Sequence, residues 1–293
     1  MTDLEYRFIV NLFDKSEDDF LIPFDVIKQL AKLKEEAFEF TQKENSRISV
    51  SYDGIEIMSY TPSMKLEDYP NIADIFKGKP EQIIHIPAVV TGYIRTAAGF
   101  TAKDDTRRAL FSVMLNSEHI MATNGKWLYY AEHGIKGIND NPDKYGRGGF
   151  LIPAEKKEKL YAHDMTLQHY GKNPGTNSNL LSLQSDNIVM QYKNDNNYPS
   201  YRYVIPTSFS QSGKIKNVEK VLDIINPKDT GFITVEFIDD KTCTIIPVIF
   251  TASYLAHILK LGFRSVKYNN ALSPVVFVKG SENIVIMPVR EKK

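Results

Sequence analysis

FLIPFDVIKQL (Phe20–Leu30), FLIPAEKKEKL (Phe150–Leu160) and VIFTASYLAHIL (Val248–Leu259) share one grammar. Each is a short apolar run passing directly into a helix-like stretch, and the first two share Phe-Leu-Ile-Pro. Proline is tolerated at a helix start, where its missing N–H would be unpaired anyway. Asp25 and Glu155 then put acids in the first turn, where the helix dipole favours them. The segments after each stretch repeat as well. SRISVSYDGIEIMSY and LEDYPNIADI come after the first, NLLSLQSDNIVMQYK and NNYPSYRYVIP after the second, FRSVKYNNALSPVVFV and ENIVIMPVR after the third. Asp53-Gly54 between two alternating runs predicts a hairpin, and Asp186-Asn187 holds the same place in the second copy.

Between these copies lie pieces of the same kind. IIHIPAVVTGYIRTAAGF (Ile83–Phe100) reads as strand then helix, with Val90, Ile94, Ala97 and Ala98 on one face. RRALFSVMLN and HIMATNGKWLYYAE read as strands, KNVEKVLDIIN as a short helix, and FITVEFIDD with CTIIPVIF as a hairpin. The chain thus holds about five strand–helix–sheet units, an α+β class of fold. Breaks fall near Lys77-Gly78-Lys79-Pro80 and Ser210-Gln211-Ser212-Gly213, which gives three domains, 1–80, 81–210 and 211–293. His133 to Gly149 and Gly171 to Asn179 read as loops.

Such a unit buries one sheet face under its helix and leaves its edges open, so repeats join edge to edge into curved sheets or rings. In a ring with helices lining the hole, the basic residues of those helices would face whatever passes through. In the first helix Phe24, Ile27, Leu30, Ala31 and Phe38 take core spacing, with Lys28 and Lys32 opposite. Arg95, Lys156, Lys157, Lys159, Lys216 and Lys220 recur on the other units as candidate channel residues. The alternative is an ordinary solvated face on each helix, as Glu35, Glu36 and Glu39 suggest for the first.

The composition sets the outer bounds. The 293 residues are 42% hydrophobic, enough for a core, with 36 basic against 36 acidic side chains. A net charge of zero argues against binding nucleic acid by bulk charge, and places weight on local arrangement. The single cysteine, Cys243, excludes an internal disulfide and a multi-cysteine zinc site, and reads as a core or face residue of an alternating strand. Acids between Asp3 and Asp19 and no continuous apolar run exclude a signal peptide at the start, and no stretch is long enough for a membrane span. The expectation is a soluble, cytoplasmic protein.

Enzyme signatures are absent: there is no GxxxxGK[ST], HExxH or GxSxG, and Gly146-Arg147-Gly148-Gly149 lacks a strand-then-helix context. The histidines are scattered without ligand spacing, His163 and His169 being the best pair. No catalytic residue, metal or cofactor is expected.

TAKDDTRRALFSVMLN followed by HIMATNGKWLYY (Thr101–Tyr130) resembles the start of the middle domain of the bacterial DNA polymerase III β subunit, the sliding clamp. The family's acidic-x-Arg run, apolar strand and Ala-Thr-Asp-Gly-His-Arg-Leu stand here with Ala122-Thr123-Asn124-Gly125-Lys126-Trp127-Leu128. NYPSYRYVIP (Asn197–Pro206) resembles the Phe-Pro-Asp-Tyr segment closing that domain, and LEDYPNIADI (Leu66–Ile75) its equivalent in the first. IVIMPVR (Ile284–Arg290) resembles the family's terminal Met-Pro-Met-Arg. The chain is shorter than the usual member. LEYRFIVNLF (Leu4–Phe13) matches the last strand of the first half of domain one, and the start of domain three is trimmed.

The resemblance implies a processivity factor that encircles duplex DNA without reading sequence and binds DNA polymerase and clamp-loader-type proteins through short peptides. It implies a homo-oligomeric ring, a head-to-tail dimer before a trimer. The matching peptide cleft comprises Leu110, Thr123, Gly125, Trp127, Leu128, Pro199, Tyr203, Val204, Tyr254, Val285, Met287, Pro288, Val289 and Arg290. Lys126, Trp127 and Tyr203 replace the family's His, Arg and Arg. Trp127 has a second reading as a strand aromatic in the core. The alternative function is a clamp-fold interaction scaffold that closes no ring, which the shortened junction domains favour.

Overall fold

The structure, a computed structural model, describes residues 6–10, 22–33, 38–43, 46–63, 76, 78–138, 148–154, 163–172, 178–185, 188–194, 198–226, 228 and 230–289. The chain forms two compact units, one of Met1–Val10 with Gly78–Lys293, the other of Asn11–Lys77. β1 (Tyr6–Val10) belongs to the larger unit, although the smaller one comes directly after it in the chain.

The smaller unit packs α1 (Phe24–Leu33) on a three-stranded antiparallel sheet of β2 (Glu39–Gln42), β3 (Ile48–Tyr52) and β4 (Ile55–Tyr60). Asp25 opens the helix and Lys32 closes it, each matched to the dipole at its end. Val26 and Leu30, four apart on one stripe, bury against Val50 with Ile22, Phe38, Phe40, Met58 and Tyr60 around them. The expected stripe is corrected here: Ile27 is 46% exposed and Ala31 is exposed too. A sheet of three strands covers only a narrow strip of helix, and Ile27 lies about 100° round from Val26. The side chain of Phe24 lies outside the description, as do Phe20, Leu21, 66–75 and Asp186-Asn187. The Asp53-Gly54 hairpin is present, with φ of 49° and 74°, the doubly positive pair that a type I′ turn requires.

The larger unit begins with β5 (Gln82–Ile86) and α2 (Ala88–Ala98), joined at Pro87. A 3-10 turn (Arg108–Phe111) leads to β6 (Ser112–Leu115), β7 (His119–Thr123), β8 (Trp127–Glu132) and β9 (Phe150–Pro153). Then come β10 (Met165–Lys172), β11 (Asn179–Ser185) and β12 (Ile188–Asn194). The last part runs β13 (Gln211–Ile215), α3 (Val218–Ile224), β14 (Phe232–Asp239), β15 (Ile245–Thr251) and α4 (Ala252–Lys260). β16 (Ser265–Tyr268), β17 (Val275–Lys279) and β18 (Glu282–Ile286) complete it. The pairings make a five-stranded sheet, β1-β12-β11-β10-β5, and a ten-stranded one, β15-β14-β13-β16-β17-β18-β8-β7-β6-β9.

One core joins the two sheets through the helices. Val90, Ile94 and Ala97 of α2 and Leu255, Ile258 and Leu259 of α4 bury in it beside Ile84, Leu167 and Leu183 from the small sheet and Tyr129, Phe237 and Phe277 from the large. The strand period of two sends the intervening residues to the opposite face. There Leu128, Met114, Met121, Val276 and Val285 form a second core under Tyr198 and Tyr201. Cys243 is corrected: it sits exposed at φ 57° in the turn between β14 and β15, outside the alternating strand. Its N–H bonds back to the Asp239 carbonyl at 3.0 Å, which sets that turn.

Candidate partner-peptide site

The β7–β8 turn is built by its own side chains. The Thr123 hydroxyl donates to the Trp127 carbonyl and accepts the Gly125 N–H, while Asn124 Oδ1 accepts the Lys126 N–H at 3.0 Å. Gly125 stands at φ +85°, and a Cβ there would lie 3.3 Å from an Arg107 guanidinium nitrogen. Glycine therefore serves both the turn and the approach of that cation.

Strand register brings the C-terminal segment to this turn. β18 pairs with β8 so that Ile286 faces Trp127 and Val285 faces Leu128, and Met287 follows directly after this last pair. The segment then leaves β18, and the Val289 N–H reaches the Ile249 carbonyl of β15 at 2.9 Å. Pro288, buried between them, has no N–H to offer the ladder. Just past the end of β15, Tyr254 stands half-buried in the first turn of α4.

The candidate residues divide between the two faces of the sheet. Leu128 and Val285 bury beneath Tyr198 and Tyr201, which flank half-buried Pro199. Beyond them Val204 closes a turn onto the Tyr201 carbonyl at 2.9 Å, leaving Tyr203 76% and Val204 46% exposed. Leu110 is fully buried in the 3-10 turn and offers no surface. On the other face Trp127 packs against Phe100, Tyr254 and His257, with ring centroids 4.5, 4.6 and 5.3 Å away. Trp127 is a core residue in burial, yet its neighbour Tyr254 reaches the surface. Around the turn, Met287 and Gly125 are exposed and Thr123 and Val289 half-buried; Arg290 lies outside the described residues.

Burial holds the His257 pKa below its ordinary value, and the nearby charges of Lys103 and Lys260 push the same way. Asp105 is the reverse case: its hydrogen bonds with Arg107 hold its carboxyl down to about 2. The sequence alone does not place Arg107, Phe100 and His257 in this site. The acidic-x-Arg run is a signal for the first; nothing in spacing marks the other two.

No family model and no curated protein matches the chain. Solved structures do. The C. crescentus β sliding clamp is 16% identical over 99% of this chain and 87% of that one, with a TM-score of 0.72. The Bartonella birtlesii sliding clamp, DNA polymerase III subunit beta bound to griselimycin, is 14% identical with the same coverage and a TM-score of 0.73. The Helicobacter pylori β clamp bound to a DNA ligase peptide is 13% identical over 98% and 87%, with a TM-score of 0.70. The chain has the sliding-clamp fold.

The cations expected to face a channel are spread over this clamp fold's two units. Lys28 and Lys32 lie on α1 in the smaller, Lys28 pairing with Asp25 at 3.4 Å. Arg95 is exposed in the last turn of α2, and Lys220 is exposed on α3. Lys216 pairs with Glu236 at 2.8 Å. Lys156, Lys157 and Lys159 lie outside the described residues. Among the described residues no three His, Cys, Asp or Glu side chains are grouped to hold a metal, and no helix is long and apolar enough to cross a membrane. A surface depression of about 440 Å³ lies beside His85, Asp164, Thr166 and Gln184, where Asp164 already accepts the Ala88 N–H at the start of α2.

Proposed function

We propose that the chain is a sliding-clamp-like processivity factor, not an enzyme, that encircles duplex DNA and tethers a DNA polymerase by a short peptide. The observation that carries this reading is the clamp fold along 98–99% of the chain in the clamps of C. crescentus and H. pylori. The H. pylori clamp was solved with a DNA ligase peptide, and the surface formed by the β7–β8 turn, residues 287–289 and Tyr254 would take such a peptide here. Exposed apolar side chains on such a surface suit short extended partners. Clamp-loader-type proteins would use the same surface.

Encircling DNA calls for sequence-independent attraction of phosphates to Lys32, Arg95, Lys220 and the lysines at 156, 157 and 159. It also calls for closure, and we propose a head-to-tail homodimer, with a trimer as the alternative, of subunits divided at 1–80, 81–210 and 211–293. No cofactor is needed, and the cytoplasm is the expected setting. A second reading, a clamp-fold scaffold that closes no ring, draws on the pairing of Lys28 with Asp25 and Lys216 with Glu236, which engages two of the candidate cations internally. Retention on circular against linear DNA, with the native mass of the assembly, decides between them. A ring stays on circles and slides from free ends; equal retention, or a monomer at micromolar concentration, favours the scaffold.

A further inference from the structure

His257 stands on α4 where that helix meets the end of α2. A Cβ at Gly99, which caps α2, would lie 3.4 Å from His257 Nε2, and the ring packs between Phe100 and Trp127, each centroid 5.3 Å away. Neither ring nitrogen has a hydrogen-bond partner among the described residues, yet neither is sealed: the residue is half-buried and its nitrogens keep contact with solvent. Two ammonium groups frame it. Lys260 lies three positions on along α4, a spacing that shares one helical face, and Lys103 follows Gly99 by four residues; both are exposed. Both charges act on the imidazole, and neither lysine is engaged in an ion pair among the described residues. The other groups on the packed elements do not offset them. Tyr254, one turn back on α4, brings only a phenol, Asp105 is held by Arg107, and no described carboxylate, Asp104 included, bears on the ring. Arg95, exposed in the last turn of α2, adds a further cation one turn before Gly99. Like charges gathered without a counter-charge cost energy that an anion recovers.

We propose that His257, Lys103 and Lys260 form a site for a backbone phosphate of nucleic acid, and that His257 takes up a proton as the phosphate binds. This rests on the DNA reading above and adds to it a control by pH. The proton comes from solvent to a ring nitrogen, which donates to a non-bridging phosphate oxygen, while the two ammonium groups supply Coulombic attraction. Without the anion, an imidazolium here would be partly desolvated beside two like charges; a phosphate oxygen reverses the balance. The complex then holds more protons than the free protein, so affinity rises as pH falls through the window between the two states. Lysine and arginine contacts elsewhere keep their charge across that window, which leaves the histidine as the element that senses it.

The test titrates the full-length chain with a fluorescent linear duplex at low salt. Affinity should be about three- to tenfold higher at about pH 6 than at about pH 7.5. His257→Gln, which keeps a polar side chain and cannot be charged, should bind at both pH values as the unaltered protein does at the higher one. In the unaltered protein, the histidine ring resonances that His257→Gln removes should titrate at higher pH with duplex than without. Duplex binding that ignores pH, or a pH response that survives in His257→Gln, overturns the proton-linked site and leaves the DNA reading standing. Absence of duplex binding at both pH values overturns both. A shift of the His257 resonances by inorganic phosphate but not by duplex overturns the assignment to nucleic acid. Should His257→Gln fail to fold, Lys103→Gln combined with Lys260→Gln, both at exposed positions, decides: it should lose most of the affinity gained at the lower pH, and keeping that gain overturns the site.

Discussion

Replacing Tyr254 by alanine should strip the outer wall from Trp127 and disclose whether the docking surface or the core owns that side chain. Tyr254 is half-buried, and an aromatic residue buries roughly 150–250 Å² when fully enclosed, so about 100 Å² is at stake here. At about 25 cal/mol per Å² that is roughly 2.5 kcal/mol. Removing its ring from beside Trp127, now at 4.6 Å, adds about 1 kcal/mol more. A cost near 3.5 kcal/mol lowers the melting temperature of a unit this size by about 7–14 °C. If Tyr254 is an anchor wall, peptide affinity also falls by about 2 kcal/mol, roughly thirtyfold. The assay is a thermal melt beside a peptide titration read by Trp127 emission, which should shift to the red as the indole meets water. Unchanged peptide affinity in a variant that melts as expected would refute the docking surface.

Three further outcomes rest on particular residues. Burial lowers the pKa of both His119 and His257 from an unfolded value near 6.5, so the unfolded chain binds more protons below that pH. Their contribution to stability is therefore complete above about 6.5 and declines as pH falls through the window beneath it; a urea midpoint as high at pH 5.5 as at 7.5 would contradict this. Gly149→Ala should cost about 3 kcal/mol, since it stands at φ +114° and a Cβ would lie 2.5 Å from the Leu115 carbonyl oxygen; a melting point within a degree of wild type would be decisive against it. Charge reversal of Lys32, Arg95 and Lys220 should weaken DNA retention and reduce the salt slope by about 0.9 for each phosphate no longer neutralised, whereas an unchanged slope removes these residues from any channel.

Local features are the most legible in the sequence. The Asp53-Gly54 turn arises from the backbone freedom of those two residues, and the buried face of α2 from the spacing of Val90, Ile94 and Ala97. The strand-then-helix units at β5–α2 and β15–α4 show in the sequence because an apolar run gives way to helical spacing at Pro87 and at Thr251. Where spacing falters, a tertiary partner decides. Ile27 and Val26 are adjacent apolar residues on α1, and only the width of the sheet beneath selects Val26 for burial. The alternation of β8 announces two faces but not that Trp127 shares its face with Phe100 and His257, more than a hundred positions apart from one another. The Lys216–Glu236 pair, joining a loop to a strand, likewise leaves no local trace.

The placement of β1 bears on how the chain reaches this state. Tyr6 pairs with Tyr192, so the first strand of the five-stranded sheet waits for a partner that comes much later in the chain, after the residues of a separate unit. Contacts so distant along the chain form slowly, because the entropy of closing the loop comes before any reward. The logarithmic growth of that penalty means most of it is incurred well before the full separation is reached. If residues 11–77 collapse first, they shorten the effective tether and make β1 easier to recruit. Until β1 docks, β12 remains an open edge, so a pause at this step is when the nascent sheet is most exposed to aggregation.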